Sequence, residues 1–444
     1  MSNKLSLLRS VVLAALLVLA GLFPFHRAVQ QSEQQFASVV KSDWAATGYW
    51  LEAAECTRKT HAWLVACGKD GRLIPLSDRS VADDPGHAFL LSVYAMVEDR
   101  PLTLVDVAKF NVAINFVGFV SIIGLLLWMR AYIAMVIVVL LSAAFQYSIG
   151  ISPHPGFVGA ATMASVMPLV LYKILVQPVT RWETALLLLW GMLALGCAAL
   201  LREPIGTMGF LISIATLLVL AWWRKPRPHL GAVLALALLS LLSWKTPHGV
   251  LAARDALFDV EPAKLIQTHG IAHNLYIGLG IVENKFGIEW LDSSASDAVA
   301  RVDPKIPYVS EKYYQTLWQL YWQRVQEDPV EVLRIYSVKV SMMLLQPMPL
   351  VHLPLLIVVL GLLAMLGLGA RGILDPGRQA TGAWGVVALA LAFILFFVLQ
   401  GVLAHPGFDY ALPIGAFSVM GFGASVELLV REYKRRGGAA LGAS

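Results

Sequence analysis

The sequence predicts an all-α integral membrane protein with about ten transmembrane helices and two long polar loops on one side of the membrane. Hydrophobic residues make up 58% of the 444 residues and charged residues only 14%, whereas a soluble chain carries about 25% charged residues. The apolar residues fall in runs that approach the length of a membrane span. Basic residues cluster at the ends of those runs, so the net charge of +5 indicates membrane topology and not nucleic-acid binding.

Ten apolar runs are candidates for membrane-spanning helices, because a helix of about 20 apolar residues crosses the hydrocarbon core. They occupy residues 8–25, 107–129, 131–148, 156–176, 183–201, 205–223, 229–244, 352–370, 380–403 and 410–430. The first run ends in Pro-Phe-His-Arg, without the small residues of a cleavage site, so it is interpreted as an uncleaved span. The chain then divides into a first span (1–25), outer loop 1 (26–105), spans two to seven (106–244), outer loop 2 (245–351), spans eight to ten (352–430) and a basic tail (431–444).

The distribution of lysine and arginine sets the predicted orientation, since short cytoplasmic loops are enriched in both residues. With the N-terminus in the cytoplasm, every inner segment is basic; the residues concerned are Lys4, Arg9, Arg130, Lys173, Arg181, Arg224, Lys225, Arg227, Arg371, Arg378, Arg431, Lys434, Arg435 and Arg436. If the chain crossed the membrane one time more or fewer before these segments, the same residues would lie on the non-cytoplasmic side. Both termini are therefore predicted to be cytoplasmic, and both long loops to lie on the non-cytoplasmic side.

Both outer loops carry signs of folded structure. Cys56 and Cys67 lie in outer loop 1, where an oxidising compartment permits a disulfide; two free thiols are the alternative. In outer loop 2, Asp328, Pro329 and Glu331 have the pattern of a capped helix start, with the glutamate reaching back to the cap. The amphipathic helix that follows is predicted to lie at the membrane surface before the next span.

Outer loop 1 also contains the motif with the strongest indication of chemistry. Asp83 and Asp84 precede a Pro-Gly turn and His87, and an amphipathic stretch follows. A carboxylate held at the bilayer surface can act as a general base on an acceptor hydroxyl or position a divalent cation. The alternative is a solvated acidic turn that caps the next helix, because aspartate is a favoured N-cap residue.

Candidates for substrate binding lie at the outer ends of the spans. Arg202 can bind a lipid phosphate through two hydrogen bonds, and pairing with the next residue or simple snorkelling is the alternative. His273 lies in a glycine-rich segment, where hydrogen bonding to an anionic ligand is favoured over a zinc site. No metal site is assigned. The remaining candidates are His87, Lys264, His405 and Tyr410, while Asn111 and Asn115 are predicted to face the bundle interior.

The arrangement resembles the GT-C superfamily of membrane glycosyltransferases, which take a sugar from a polyprenyl carrier on the non-cytoplasmic face. The likeness rests on a first span followed by a long outer loop, the Asp83-Asp84-Pro85 motif in that loop, and membrane-surface helices after it. The Arg202-Glu203-Pro204 junction is similar to the basic outer-end loop of several such enzymes. The likeness in topology covers most of the chain, whereas the motif is only a few residues long.

The resemblance implies transfer of a sugar from a polyprenyl-phosphate carrier to a lipid or glycan acceptor at the periplasmic face of the bacterial inner membrane. It implies that Asp84, with Asp83 beside it, acts as the catalytic base or positions the acceptor. We expect Arg202 and His273 to stabilise the departing phosphate, which is commonly the largest catalytic contribution in such sites. No cofactor is required by this scheme, and a divalent cation is compatible with it.

Three other classes of function remain open on the sequence. A lipid or glycan transporter or flippase would need polar groups along a path through the bundle, and the spans are mostly free of them. A non-enzymatic assembly protein with a degenerate glycosyltransferase fold is the second class. The third is an O-antigen ligase or polymerase, which depends on outer-side arginines and a histidine in place of a first-loop aspartate.

Overall fold

The computed structural model describes residues 2–39, 45–69, 71–76, 85–141, 149–223, 228–258, 270–345, 356, 359, 360, 363 and 382–441. Within these ranges the chain is helical apart from loops and one antiparallel pair of strands, β1 (Val65–Cys67) and β2 (Leu73–Pro75). The helices are α1 Ser2–Phe36, α2 Ala45–Thr60, α3 Gly86–Glu98, α4 Leu104–Trp128, α5 Tyr132–Leu140, α6 Phe157–Ala164, α7 Val166–Val176, α8 Arg181–Leu201, α9 Glu203–Trp223, α10 Leu230–Trp244, α11 Thr246–Phe258, α12 Ile271–Gly278, α13 Asp292–Val302, α14 Glu311–Glu327, α15 Pro329–Leu345, α16 Gly382–Leu403 and α17 Phe408–Leu441.

Six helical stretches in the described part of the chain are long and apolar enough to cross a membrane. They are Leu104–Trp128, His154–Val176, Arg181–Leu201, Glu203–Trp222, Ala383–Leu403 and Tyr410–Arg431, and the number becomes seven if α10 and α11, which meet at 55°, form one span. The all-α, membrane-spanning class is therefore supported by the structure. The predicted count of ten is not confirmed.

With α10 and α11 counted as one span, which accounts for the run at 229–244, the remaining difference comes from three predicted spans. The run at 8–25 lies in α1, which continues through Pro24 to Phe36 and packs against α4. The run at 131–148 contains the nine-residue α5, which follows the C-terminal end of α4. Residues 142–148 are not described, and Ile149, the next residue that is, lies near the N-terminal half of α4. The run at 352–370 lies almost wholly outside the described residues.

The apolar bundle has a packed interior and an apolar outer surface. Phe119, Phe157, Phe393 and Phe417 are buried in its core, whereas leucines on α8, α9, α10 and α16 are exposed. Exposed leucines on the flanks of long apolar helices indicate contact with lipid, because a soluble protein buries such stripes. Their positions are Leu186, Leu189, Leu193, Leu211, Leu218, Leu234, Leu238, Leu395 and Leu399.

The two ends of the bundle differ in chemistry. One end carries Arg130, Lys173, Arg181 and Arg431 at the termini of α4, α7, α8 and within α17, and we call it the basic end. The exposed Trp182 and Trp222 lie at the same level on α8 and α9, where indole rings favour the membrane–water interface. The opposite end is where both long polar segments pack, and we call it the loop end.

The first polar segment folds onto the loop end as a small unit. A disulfide between Cys56 and Cys67 joins the last turn of α2 to β1. Helix α3 packs on α2 through His87, Ala88, Leu91 and Ala95, and leaves Val93 and Val97 exposed. The predicted amphipathic helix is thus present, and it keeps apolar side chains on its exposed face. The buried Arg254 of α11 donates to the Leu64 carbonyl oxygen (3.2 Å) and so ties the second polar segment to this unit.

The second polar segment forms a helical unit of its own, built from α12 to α15 around a core that includes Tyr276, Tyr313, Leu317 and Ile335. The start of α15 forms the first of the two hydrogen bonds predicted for its cap: Asp328 Oδ1 accepts from the Glu331 N–H at 2.9 Å. The second predicted hydrogen bond, between the Glu331 side chain and the cap, differs from the prediction. The Glu331 carboxylate accepts from Arg334 and from the Lys285 N–H instead of reaching back to the cap.

Candidate functional site

The candidate site begins where α3 meets the end of α8. Pro85 is buried, and a Cβ added to Gly86 would lie 2.3 Å from the Leu200 carbonyl oxygen. Only glycine allows this approach, because any side chain would collide with the α8 backbone. The Pro-Gly pair that follows Asp83 and Asp84 in the sequence is therefore pressed against the loop end of the bundle, next to Arg202. Asp83 and Asp84 themselves lie outside the described residues.

His87 lies one residue further on and is buried between the first polar unit and the bundle. Its ring stacks on Trp50 (centroids 4.8 Å apart), and its Nε2 is 3.0 Å from Asn111 Oδ1 on α4. The Asn111 amide nitrogen donates to the carbonyl oxygens of Gly150 and Ser152, at 2.9 Å and 2.8 Å. Asn111 Oδ1 is then an acceptor, so His87 Nε2 carries a proton and donates it.

The surroundings of His87 keep its ring neutral. Burial away from water lowers the pKa of His87 to about 4, and the nearby charges of Arg202 and His154 lower it further, while the hydrogen bond to Asn111 opposes them. A neutral imidazole with Nε2 protonated is therefore held at this position over the physiological range. His87 organises the site and is not placed to take up a proton at neutral pH.

Asn115, one turn along α4 from Asn111, positions the start of the next span. Its amide nitrogen donates to the Pro155 carbonyl oxygen at 2.7 Å, and its Oδ1 accepts from the Gly159 N–H at 2.8 Å. These bonds satisfy backbone groups that a helix start leaves without intrahelical partners. Both asparagines therefore face the interior, as predicted, and together they hold the segment 150–159 that carries His154 and Phe157.

Arg202 and Tyr410 meet around Phe157. The Arg202 guanidinium carbon lies 5.3 Å from the centre of the Phe157 ring, and the ring of Tyr410 lies 6.0 Å from Phe157. The His154 ring packs edge-on against Phe157 at 5.1 Å. A cation over an aromatic face is held there by the field of the ring, so Phe157 fixes the position of Arg202 at the loop end.

The structure thus brings together three of the predicted site residues, His87, Arg202 and Tyr410, by way of Asn111 and Phe157. We call the set His87, Asn111, His154, Phe157, Arg202 and Tyr410 the loop-end cluster. His154 and Phe157 were not predicted as site residues. A usable signal for both was present in the sequence, since His154 lies in a short outer turn between two spans and Phe157 at the start of the second of them.

Two other predicted residues lie elsewhere, and a third is not described. His273 is buried in the second polar unit, where its Nδ1 is 2.9 Å from the Tyr313 hydroxyl and its Nε2 is 3.1 Å from Asp292 Oδ1. His405, in the loop between α16 and α17, packs edge-on against Trp290 at 4.9 Å. Lys264 falls outside the described residues. The interactions of His273 are those of a core histidine in the second polar unit.

Two features of the loop end bear on possible ligands. An open groove of about 540 Å³ is lined by Gln31, Gln34 and Gln35 of α1 and by Ile149, next to the segment that Asn111 holds. Within the described residues, no three side chains of the kind that bind metals come close enough to hold an ion; Asp83 and Asp84 are not among them. Comparisons with known protein families, with curated proteins and with solved structures find no match.

Proposed function

We propose that the protein is a membrane glycosyltransferase that transfers a sugar from a polyprenyl-phosphate carrier to a lipid or glycan acceptor. The observation that carries the proposal is the loop-end cluster: a buried Pro-Gly turn that directly follows Asp83 and Asp84 packs beside Arg202. An acidic motif and an anion-binding cation are the two elements that this reaction needs. The Pro-Gly turn and Arg202 lie where the first polar unit covers the ends of the spans.

In this proposal Asp84, with Asp83 beside it, accepts the proton of the acceptor hydroxyl. The hydroxyl oxygen forms a bond to the anomeric carbon of the sugar, and the bond from that carbon to the phosphate oxygen breaks. The polyprenyl phosphate leaves with the electron pair, and the Arg202 guanidinium stabilises its charge through paired hydrogen bonds. His87 and Asn111 position the turn after the aspartates, while Phe157, against which Tyr410 packs, holds Arg202 in place.

The proposed location is the bacterial inner membrane, with both termini in the cytoplasm and the loop-end cluster at the periplasmic face. Support comes from the separation of charge between the two ends of the bundle, because Arg130, Lys173, Arg181 and Arg431 all lie at the end opposite the cluster. Basic residues favour the cytoplasmic side. A sugar donor at the periplasmic face must be carried by a lipid, since nucleotide sugars are cytoplasmic.

The proposal is tested by replacing Asp83 and Asp84 with Asn, one at a time, and assaying the purified protein in detergent with polyprenyl-phosphate sugars and extracted envelope acceptors. We expect a loss of transfer of roughly 10²–10⁴-fold in at least one variant, the typical effect of removing a general base. Surface glycans of the source cell should lose the same product. A detergent assay contains no sealed compartment, so a flippase would give no product in it.

The matched control is Asp99→Asn, at the end of α3. The Asp99 side chain is 86% exposed and its φ is +48°, a left-handed conformation that asparagine tolerates well. This variant should transfer sugar at the wild-type rate. Normal glycans from both Asp83→Asn and Asp84→Asn, at wild-type protein levels, would contradict the proposal.

A further inference from the structure

Lys339 of α15 is a buried lysine that joins three parts of the molecule. Its side chain has no exposed surface, and its Nζ donates to the carbonyl oxygens of Gly278 (3.2 Å), Leu403 (3.3 Å) and Ala404 (3.0 Å). Gly278 is the last residue of α12, and Leu403 is the last residue of α16. The last carbonyls of a helix lack intrahelical partners and carry partial negative charge, so one ammonium group caps two helices here.

The carbonyl groups of Leu403 and Ala404 belong to a segment that leads to the loop-end cluster. Leu403 and Ala404 lead directly into the loop that contains His405 and into the first turn of α17, where Tyr410 contacts Phe157 of the loop-end cluster. Lys339 belongs to the second polar unit. It is therefore a direct polar link between that unit and the chain segment that leads to Tyr410.

The fit of the ammonium group is specific. Three N–H donors meet three carbonyl acceptors, which an uncharged amine with two donors could not satisfy. A Cβ added to Gly278 would lie 3.1 Å from Lys339 Nζ and within 3.3 Å of the Leu403 and Ala404 oxygens. A side chain at Gly278 would therefore displace the lysine or the two carbonyl oxygens by a few tenths of an ångström.

We infer that Lys339 is a positioning residue, which holds the segment 403–410 in the conformation that keeps Tyr410 in the loop-end cluster. The effect on sugar transfer rests on the proposed function, whereas the link between Lys339 and the segment does not. Burial lowers the pKa of Lys339 to about 7, so the test is made at about pH 6, where the ammonium form is retained.

The experiment measures amide hydrogen exchange of the full-length protein in detergent for Lys339→Met and, as a second route to the same contacts, Gly278→Ala. Both variants should speed exchange in the segment 403–410 by roughly tenfold or more, because hydrogen bonds from a charged donor are lost or displaced. Exchange in the cores of α4 and α6 should stay at the wild-type rate. Lys285→Met is the control, since Lys285 is 71% exposed and pairs with Asp328 in the same unit.

The outcomes separate positioning from general stability. Unchanged exchange in 403–410 for both variants would overturn the inference. So would faster exchange throughout the second polar unit and the bundle, since that result would assign Lys339 a purely structural role. Faster exchange confined to 403–410, together with a matching loss of sugar transfer, supports the inference. If the wild-type protein transfers no sugar, faster exchange confined to 403–410 still supports the link between Lys339 and that segment, while the proposed function fails.

Discussion

His87 shows how a single buried residue ties the candidate site to the stability of the fold. It is almost fully buried, stacks on Trp50 and donates to Asn111. From the sequence, His87 is one of several candidate substrate-binding residues on the outer side. Its distinct role depends on contacts with residues 37 positions before it and 24 after it, which no local pattern indicates.

A pH dependence of stability follows from this burial. The pKa of His87 is about 4 in the folded protein and 6.5 in the unfolded chain. As pH falls below 6.5 the unfolded state takes up the proton first, so stability is complete above that value and declines toward pH 4, by about 3 kcal/mol at most. Thermal unfolding in detergent across this range should show a smaller decline for His87→Gln than for the wild type.

The exposed His248 of α11 supplies the comparison for that measurement. His248→Gln should follow the wild-type curve, since a solvated side chain changes little on unfolding. An His87→Gln variant whose stability falls with pH as steeply as that of the wild type would show that His87 is not the group responsible.

At the scale of elements, helices were predicted more reliably than the faces they bury. The amphipathic stretch after His87 predicted α3 and the capped start at Asp328 predicted α15, because helix formation is a local property of the chain. On α3 the buried face includes Ala88, Leu91 and Ala95, while Val93 and Val97 stay exposed. Which side of α3 turns inward depends on its packing against Trp50 and Ala53 of α2, which the periodicity of α3 alone does not indicate.

The crossing of α4 and α6 gives a second example and a test. A Cβ on Gly159 would lie 2.3 Å from the Ile114 carbonyl oxygen, and the Gly159 N–H donates to Asn115. Small residues allow such contacts between membrane helices. Gly159→Ala should destabilise the protein by about 1–3 kcal/mol through overpacking, measured as a lower midpoint of thermal unfolding in detergent.

Gly231 of α10 is the matched control, because a Cβ there would meet no atom within 4 Å. Gly231→Ala should leave stability unchanged or raise it by up to about 1 kcal/mol, the gain in helix propensity. Equal effects from the two substitutions would mean that the close contact between α4 and α6 contributes nothing to stability.

At the scale of the whole molecule, the separation between the basic end and the loop end is the main result. Arg431 and Glu427 of α17 contact the turn at Arg130 and Ile133, whereas both polar units and the loop-end cluster lie at the other end. The sequence predicted this division from charge alone. The predicted number of spans is not confirmed, and several of the predicted runs are near the minimum length for crossing.

The orientation predicts the behaviour of reporter fusions. Alkaline phosphatase fused after residue 70 should be active, because that position belongs to the first polar segment, and fusion after residue 226 should be inactive. The reporter folds only where disulfides form. The reverse pattern, at equal fusion levels, would overturn the proposed orientation and place the loop-end cluster in the cytoplasm.

The membrane class, the helical content and the two polar segments followed from the sequence alone, because apolar run length and the clustering of basic residues are local properties of the chain. Which residues form one site was decided only by the tertiary structure. Arg202 and Tyr410 meet across Phe157, while His273 is held in a separate core by Tyr313. Contacts between residues so distant in sequence depend on how helices pack, and packing is set by close backbone approach and buried polar bonds that periodicity does not encode.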